Sequence, residues 1–136
     1  MLDVKLNKVS IKVAELIAEA EEYVYPSRVF SKKVGKNLVV RRNNQIDVFC
    51  NESWIMRGGV YDIGFIAEVA VPNVTAVNRV NAYLQSIGSN AIIVWKDGAA
   101  YALNQEAKLV QLQGYRFYST AELYKLRNGY SNNIAN

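Results

Sequence analysis

Histidine is absent from the chain. Its absence excludes Ser-His-Asp and Cys-His nucleophilic machinery, histidine-ligated zinc or haem, and acid–base catalysis by imidazole. Any catalysis must rest on carboxylates, lysines, tyrosines or an oxygen-ligated metal. Cysteine occurs once, as Cys50. A lone cysteine forms no internal disulfide, so a reducing, cytoplasmic (intracellular) setting is expected. No apolar run approaches the ~18 residues of a membrane-spanning helix. The opening MLDVKLNKVS also lacks the apolar core of a signal peptide. No membrane partner is therefore expected. Acids are missing from one window as well. None lies between Glu22 and Asp47, whereas Arg28, Lys32, Lys33, Lys36, Arg41 and Arg42 all do. With a net charge of +4, this window makes a local basic field suited to phosphate backbones or acidic surfaces. The same charges also serve as an ordinary solvated face.

What is present fits one α/β (α+β) domain over residues 1–136, inside the usual ~100–200 residues. Hydrophobic residues at 51% and charged residues at 21% give a globular balance with no need of metal or disulfide staples. Val9, Val13, Leu16, Ile17, Ala20 and Val24 recur at three- and four-residue spacing. That spacing predicts an amphipathic helix over 7–23, capped by Asn7 and stopped at Tyr25-Pro26. Glu15, Glu19 and Glu22 fall on its solvent side, and Glu21 flanks the stripe closely enough to reach a site. A basic segment with a Gly35-Lys36-Asn37 turn follows, then a strand over Leu38-Val39-Val40 and a turn at Arg42 to Gln45. The strand Ile46 to Cys50 sets Gln45, Asp47 and Phe49 on one face and Ile46, Val48 and Cys50 on the other.

Trp54-Ile55-Met56 predicts a short extra strand and Gly58-Gly59 a hinge. Phe65 to Val71 is apolar on both faces, which predicts a central strand covered on both sides. Glu68, on that strand, is expected to be at least partly buried, where a carboxylate needs a charge, a metal or hydrogen bonds. A helix over Val74 to Ile87 buries Val77, Val80, Leu84 and Ile87 and ends at Gly88. Ala91 to Trp95, the Asp97-Gly98 turn, Ala99 to Leu103 and Lys108 to Gln113 complete the strands. Ser119-Thr120-Ala121-Glu122 is a capping box that opens a last helix, closed by Asn128-Gly129. The core thus spans about 7–96, a C-terminal hairpin and helix 97–129, and a frayed tail 130–136.

Arg42-Asn43-Asn44-Gln45-Ile46-Asp47-Val48-Phe49 and Phe65-Ile66-Ala67-Glu68-Val69-Ala70, followed by a helix and Ile92-Ile93-Val94, resemble the PD-(D/E)XK nuclease superfamily. The superfamily includes Holliday-junction resolvases, homing endonucleases and restriction-type enzymes. The resemblance implies an αβββαβ core with a mixed central sheet flanked by helices. It also implies a Mg²⁺ ion held by Asp47 and Glu68, with Gln45 beside them and Glu21 assisting from the first helix. Two carboxylates give such an ion hard oxygen ligands and leave it waters to activate. Position 70 is Ala where the superfamily has Lys, and Gln45 stands where relatives carry a second acid. Asp62 is a rival first carboxylate, and Arg79 or Lys96 could take the place of the lysine.

The function implied is a divalent-metal-dependent DNA endonuclease. Arg28, Lys32, Lys33, Lys36, Arg41 and Arg42 would contact phosphates, and Tyr115 or Tyr118 would stack on bases. DNA is the expected partner ahead of RNA, with a homodimer matching the two-fold duplex. A non-catalytic DNA- or RNA-binding module accounts for the charge, the missing lysine and the missing histidine equally well. An assembly or interaction protein of a phage or mobile element would use the nine tyrosines and two tryptophans as interface anchors.

Overall fold

In the computed structural model, which describes residues 6–23 and 28–128, the chain starts with helix α1 (Lys8–Glu21). Asn7 caps it, its Oδ1 accepting from the Ser10 N–H at 2.8 Å. Val13, Leu16, Ile17 and Ala20 are buried as the spacing predicts, but Val9 is exposed and Ser10 and Ala14 turn inward. The Tyr25-Pro26 stop, Val24 of the stripe, Gly129 and the tail 130–136 lie outside the described residues.

An antiparallel meander of five strands follows: β1 (Phe30–Val34), β2 (Asn37–Arg42), β3 (Gln45–Cys50), β4 (Ser53–Tyr61) and β5 (Gly64–Val69). Two-residue turns join the strands, and Asn43 supplies the positive φ that one of them requires. After β5 come α2 (Val74–Ser86), β6 (Ile93–Lys96), β7 (Ala99–Leu103), β8 (Leu109–Gln111), β9 (Tyr118–Ser119) and α3 (Thr120–Arg127). β9 pairs with the end of β5 and makes a six-stranded sheet in the order β1-β2-β3-β4-β5-β9. β6, β7 and β8 form a separate three-stranded sheet. The buried side chains of both sheets and all three helices form one cluster, as expected for a single α+β domain.

Several expectations change. Both sheets are antiparallel throughout, not mixed: short connections join β1 to β5 in turn and β6 to β8, and β9 returns antiparallel to β5 after the second sheet. The strand after α2 accordingly enters the second sheet. The basic segment is itself a strand, β1, and β4 runs straight through Gly58-Gly59 without a hinge. Glycine is needed at 58 for another reason. A Cβ there would run into the Ile66 carbonyl oxygen and lie 2.8 Å from Phe65 Cε1. β5 is covered on one side only, with Ala67 and Val69 inside and Ile66 49% exposed outside.

α1 and α2 pack on the inner face of the large sheet, the face of Val39, Ile46, Val48, Met56, Ala67 and Val69. α2 is capped by Asn73 Oδ1, which accepts from Ala76 N at 2.9 Å. Val77, Val80 and Leu84 are buried, whereas Ile87 is exposed. Two polar side chains of α2 are buried too. The Arg79 Nε donates to Asn37 Oδ1 at 3.0 Å and its NH1 to Ser10 Oγ at 2.7 Å. Asn81 Nδ2 donates to the Ile93 carbonyl at 2.8 Å, and its Oδ1 accepts from Ile93 N at 3.0 Å. Burial raises the Cys50 thiol pKa, and the nearby Arg79 charge and hydrogen bond pull it partly back. A neutral, buried thiol is a small hydrophobe and not a nucleophile.

Candidate functional site

Cross-strand partners share a face, so the register assigns each outward side chain of the large sheet to a row. The central row runs Ser31, Val40, Asp47, Arg57, Glu68 and Ser119. On one side of it lie Lys33, Leu38, Phe49 and Trp54. On the other lie Arg42, Gln45, Gly59 and Ile66. This outer face is opposite α1 and α2.

Asp47 and Glu68 do stand on one face, as the alternation on β3 and β5 requires. They are two strands apart, and Arg57 fills the position between them. The Arg57 Nε donates to Glu68 Oε1 at 2.8 Å, with the two side chains 38% and 41% exposed. At that exposure solvent screens the pair, so its value lies in orientation more than in stability. The guanidinium carbon sits 4.0 Å from the Phe117 ring centroid and 5.2 Å from that of Trp54, both within cation–π range. Trp54 meets Phe117 edge-on at 5.0 Å and lies near-parallel to Phe49 at 6.5 Å. The indole N–H donates to Asp47 Oδ1 at 3.0 Å, and Gln45 Nε2 donates to the same oxygen at 3.2 Å.

Two clefts flank this cluster. One, of about 700 Å³, is bounded by Arg42, Gln45, Asp47, Arg57, Tyr61 and Glu68. The other, of about 820 Å³, is bounded by Lys33, Lys36, Leu38, Phe49 and Asn51. The face therefore joins aromatic rings and one oriented guanidinium to lysine and arginine at its margins.

The structure separates the other candidates. Glu21 is on the helix side, with its Oε2 near Gly64 and its charge acting on Tyr83. Lys32 and Arg41 also face the helices. Lys32 pairs with Glu19 at 3.2 Å, and Arg41 NH1 donates to the Ala20 and Glu21 carbonyls, both at 2.9 Å, holding the end of α1. Lys33, Lys36 and Arg42 remain for the outer face, and Arg28 is exposed just ahead of β1. Asp62 sits in the exposed β4–β5 turn, Lys96 ends a strand of the other sheet, and Arg79 is buried behind the large sheet. Tyr118 points inward, its hydroxyl accepting from Gln113 N at 2.7 Å, so of the two tyrosines only Tyr115 is exposed. Ala70 is 1% exposed in the core.

The residues that sequence reasoning missed are Trp54, Arg57 and Phe117. Trp54 and Arg57 are three apart, and strict alternation sends them to opposite faces. A bulge opposite Val48 and Phe49 takes up Ile55 and returns both to the outer face. No local pattern announces that bulge.

The carboxylate pair does not fit a Mg²⁺ ion in this arrangement. Arg57 stands between the two carboxylates in the register and is paired with Glu68, so a dication bridging Asp47 and Glu68 would meet like-charge repulsion. Among the described residues, no group of three or more His, Cys, Asp or Glu side chains is placed to hold a metal. No described helix is long and apolar enough to cross a membrane. Comparison of the chain with protein-family models, curated proteins and solved structures finds no match.

Proposed function

We propose that the protein is a nucleic-acid-binding module that receives a single strand on the outer face of its large sheet. The observation that carries this is the aromatic–guanidinium cluster of Phe49, Trp54, Arg57 and Phe117 on the outer face, with Trp54 exposed and the others half-buried, edged by Lys33, Lys36 and Arg42. Bases stack on rings and on guanidinium planes, while the marginal cations track the phosphates. Asp47 and Glu68 repel phosphate from the middle of the face, so the strand lies with its bases inward. A single strand has no two-fold axis and places no demand for a homodimer.

The test is fluorescence anisotropy with labelled single-stranded and duplex DNA of equal length, and with single-stranded RNA, across a salt series. The single strand should bind more tightly than the duplex. With three marginal cations neutralising phosphates, log K should fall against log salt with a slope of about −2, from ~0.7 per phosphate. Trp54→Ala should weaken binding about fivefold to a hundredfold, the range for one stacked base. Absence of binding at about 50 mM salt, where such contacts are strong, refutes the proposal. A parallel arm with Mg²⁺ or Mn²⁺ reads cleavage. Cutting that vanishes in Glu68→Ala would replace the binding module with the nuclease.

A further inference from the structure

Asp47, Gln45 and Trp54 make a directional hydrogen-bonding edge beside the stacking surface. Asp47 Oδ1 accepts from the Trp54 indole at 3.0 Å and from Gln45 Nε2 at 3.2 Å, while Oδ2 has only the longer Gln45 contact at 3.4 Å. Gln45 is exposed, and its contacts to Asp47 are longer than the indole bond. The indole bond is what fixes the carboxylate in place. We propose that this edge selects guanine among the bases of a bound single strand. The inference rests on the binding reading above and adds base identity to it.

The argument is one of complementary donors and acceptors. A base laid on the near-parallel Phe49–Trp54 pair brings one edge toward the carboxylate that the indole N–H touches. The pairing edge of guanine presents O6 as an acceptor, then N1–H and N2–H₂ as donors. Gln45 Nε2 offers the matching donor and the two Asp47 oxygens the matching acceptors. Uracil and thymine offer one donor between two acceptors, so one carbonyl faces a carboxylate oxygen with no proton between them. Cytosine and adenine can give Asp47 their amino group, but each turns an acceptor nitrogen to its second oxygen. Leaving a polar group unpaired is what makes such a site reject the wrong base. Arg57 pairs with Glu68 and packs on the Phe117 ring, leaving the Asp47 oxygens to the indole and Gln45.

The experiment uses the full chain and labelled single-stranded thymine octamers that carry one central guanine, hypoxanthine, cytosine, adenine or thymine. Guanine should tighten binding about fivefold to a hundredfold over the all-thymine strand, the span of one bidentate base contact. Hypoxanthine keeps O6 and N1–H but lacks the N2 amino group, and should lose most of that gain. In Asp47→Asn the guanine-to-thymine ratio should fall toward one, because the new amide sets a donor against a donor. Gln45→Ala should reduce the same ratio by less, and thermal unfolding of each variant confirms its fold. Equal binding of guanine and thymine octamers, or of guanine and hypoxanthine, overturns base selection while leaving the stacking surface standing. Binding of none of the octamers overturns both.

Discussion

Arg79 offers the sharpest test of how the large sheet is tied to its helices. Arg79 is 9% exposed, and two of its bonds reach Ser10 and Asn37, themselves 0% and 3% exposed. Three elements, α1, β2 and α2, therefore meet at one buried cation. Arg79→Met keeps much of the aliphatic volume and removes both bonds. A hydrogen bond to a charged group contributes ~1.5 kcal/mol net at the lower end, so the two together set a loss of about 3 kcal/mol. Part of that loss is the orphaning of the Ser10 hydroxyl, which has no route to water. Ser10→Ala in the Arg79→Met background should therefore recover about 1 kcal/mol, although Ser10→Ala alone destabilises. The assay is urea unfolding of all four proteins followed by tryptophan fluorescence, with equal m-values required. If Arg79→Met costs less than about 1 kcal/mol, or the two substitutions add, then the buried network does not tie the elements together as described.

Three further outcomes follow from local geometry. Gly58→Ala should destabilise by about 3 kcal/mol or more in the same assay, since the added methyl meets main chain and cannot be relieved by a rotamer. The Tyr83 phenol is pushed up to about 12, by burial first and then by the negative charge of Glu21. A raised acid pKa gives stability that is complete below the unfolded value near 10 and is lost as pH climbs through about 12, some 2–3 kcal/mol in all. Tyr83→Phe should remove this alkaline step from urea melts, and a variant as alkali-sensitive as the parent would refute the assignment. Ser119→Ala breaks the capping box in which Ser119 Oγ accepts from Glu122 N, and Glu122 Oε1 from Ser119 N, each at 3.0 Å. The loss should be about 1 kcal/mol by thermal or urea unfolding.

Where the chain carries strong local chemistry, the sequence was sufficient. The Asn7 cap, the Asp97-Gly98 hairpin and the Ser119 capping box all occur where their residues stand. The two faces of β3 were legible because its apolar and polar residues alternate without a break. β1 was not, since Ser31, Lys32 and Lys33 carry no apolar alternation and only pairing with β2 makes them a strand. The open side of β5 was misjudged for the opposite reason. Ile66 is apolar yet exposed on the outer face, so hydrophobicity alone overstated its cover. The candidate site was half visible. Asp47, Gln45 and Glu68 could be found from the strand period, while Arg57 required the bulge and Phe117 required a long-range pairing with β9, neither of which is a local property.

Asn81 has a consequence for the free edge of the second sheet, where β6 is the outer strand. In the β6–β7 ladder, Ile93 turns its N–H and carbonyl away from β7, and one side-chain amide on α2 takes up both. That amide imitates the next strand of a sheet. It closes an outer margin at which another polypeptide could otherwise add, a hazard usually managed with charge, proline or a bulge. Here the guard is a helix residue, so it is in place only while α2 is docked. Any partial unfolding that lifts α2 would expose a strand margin together with the buried Ile93 and so leave an edge open to pairing with another chain.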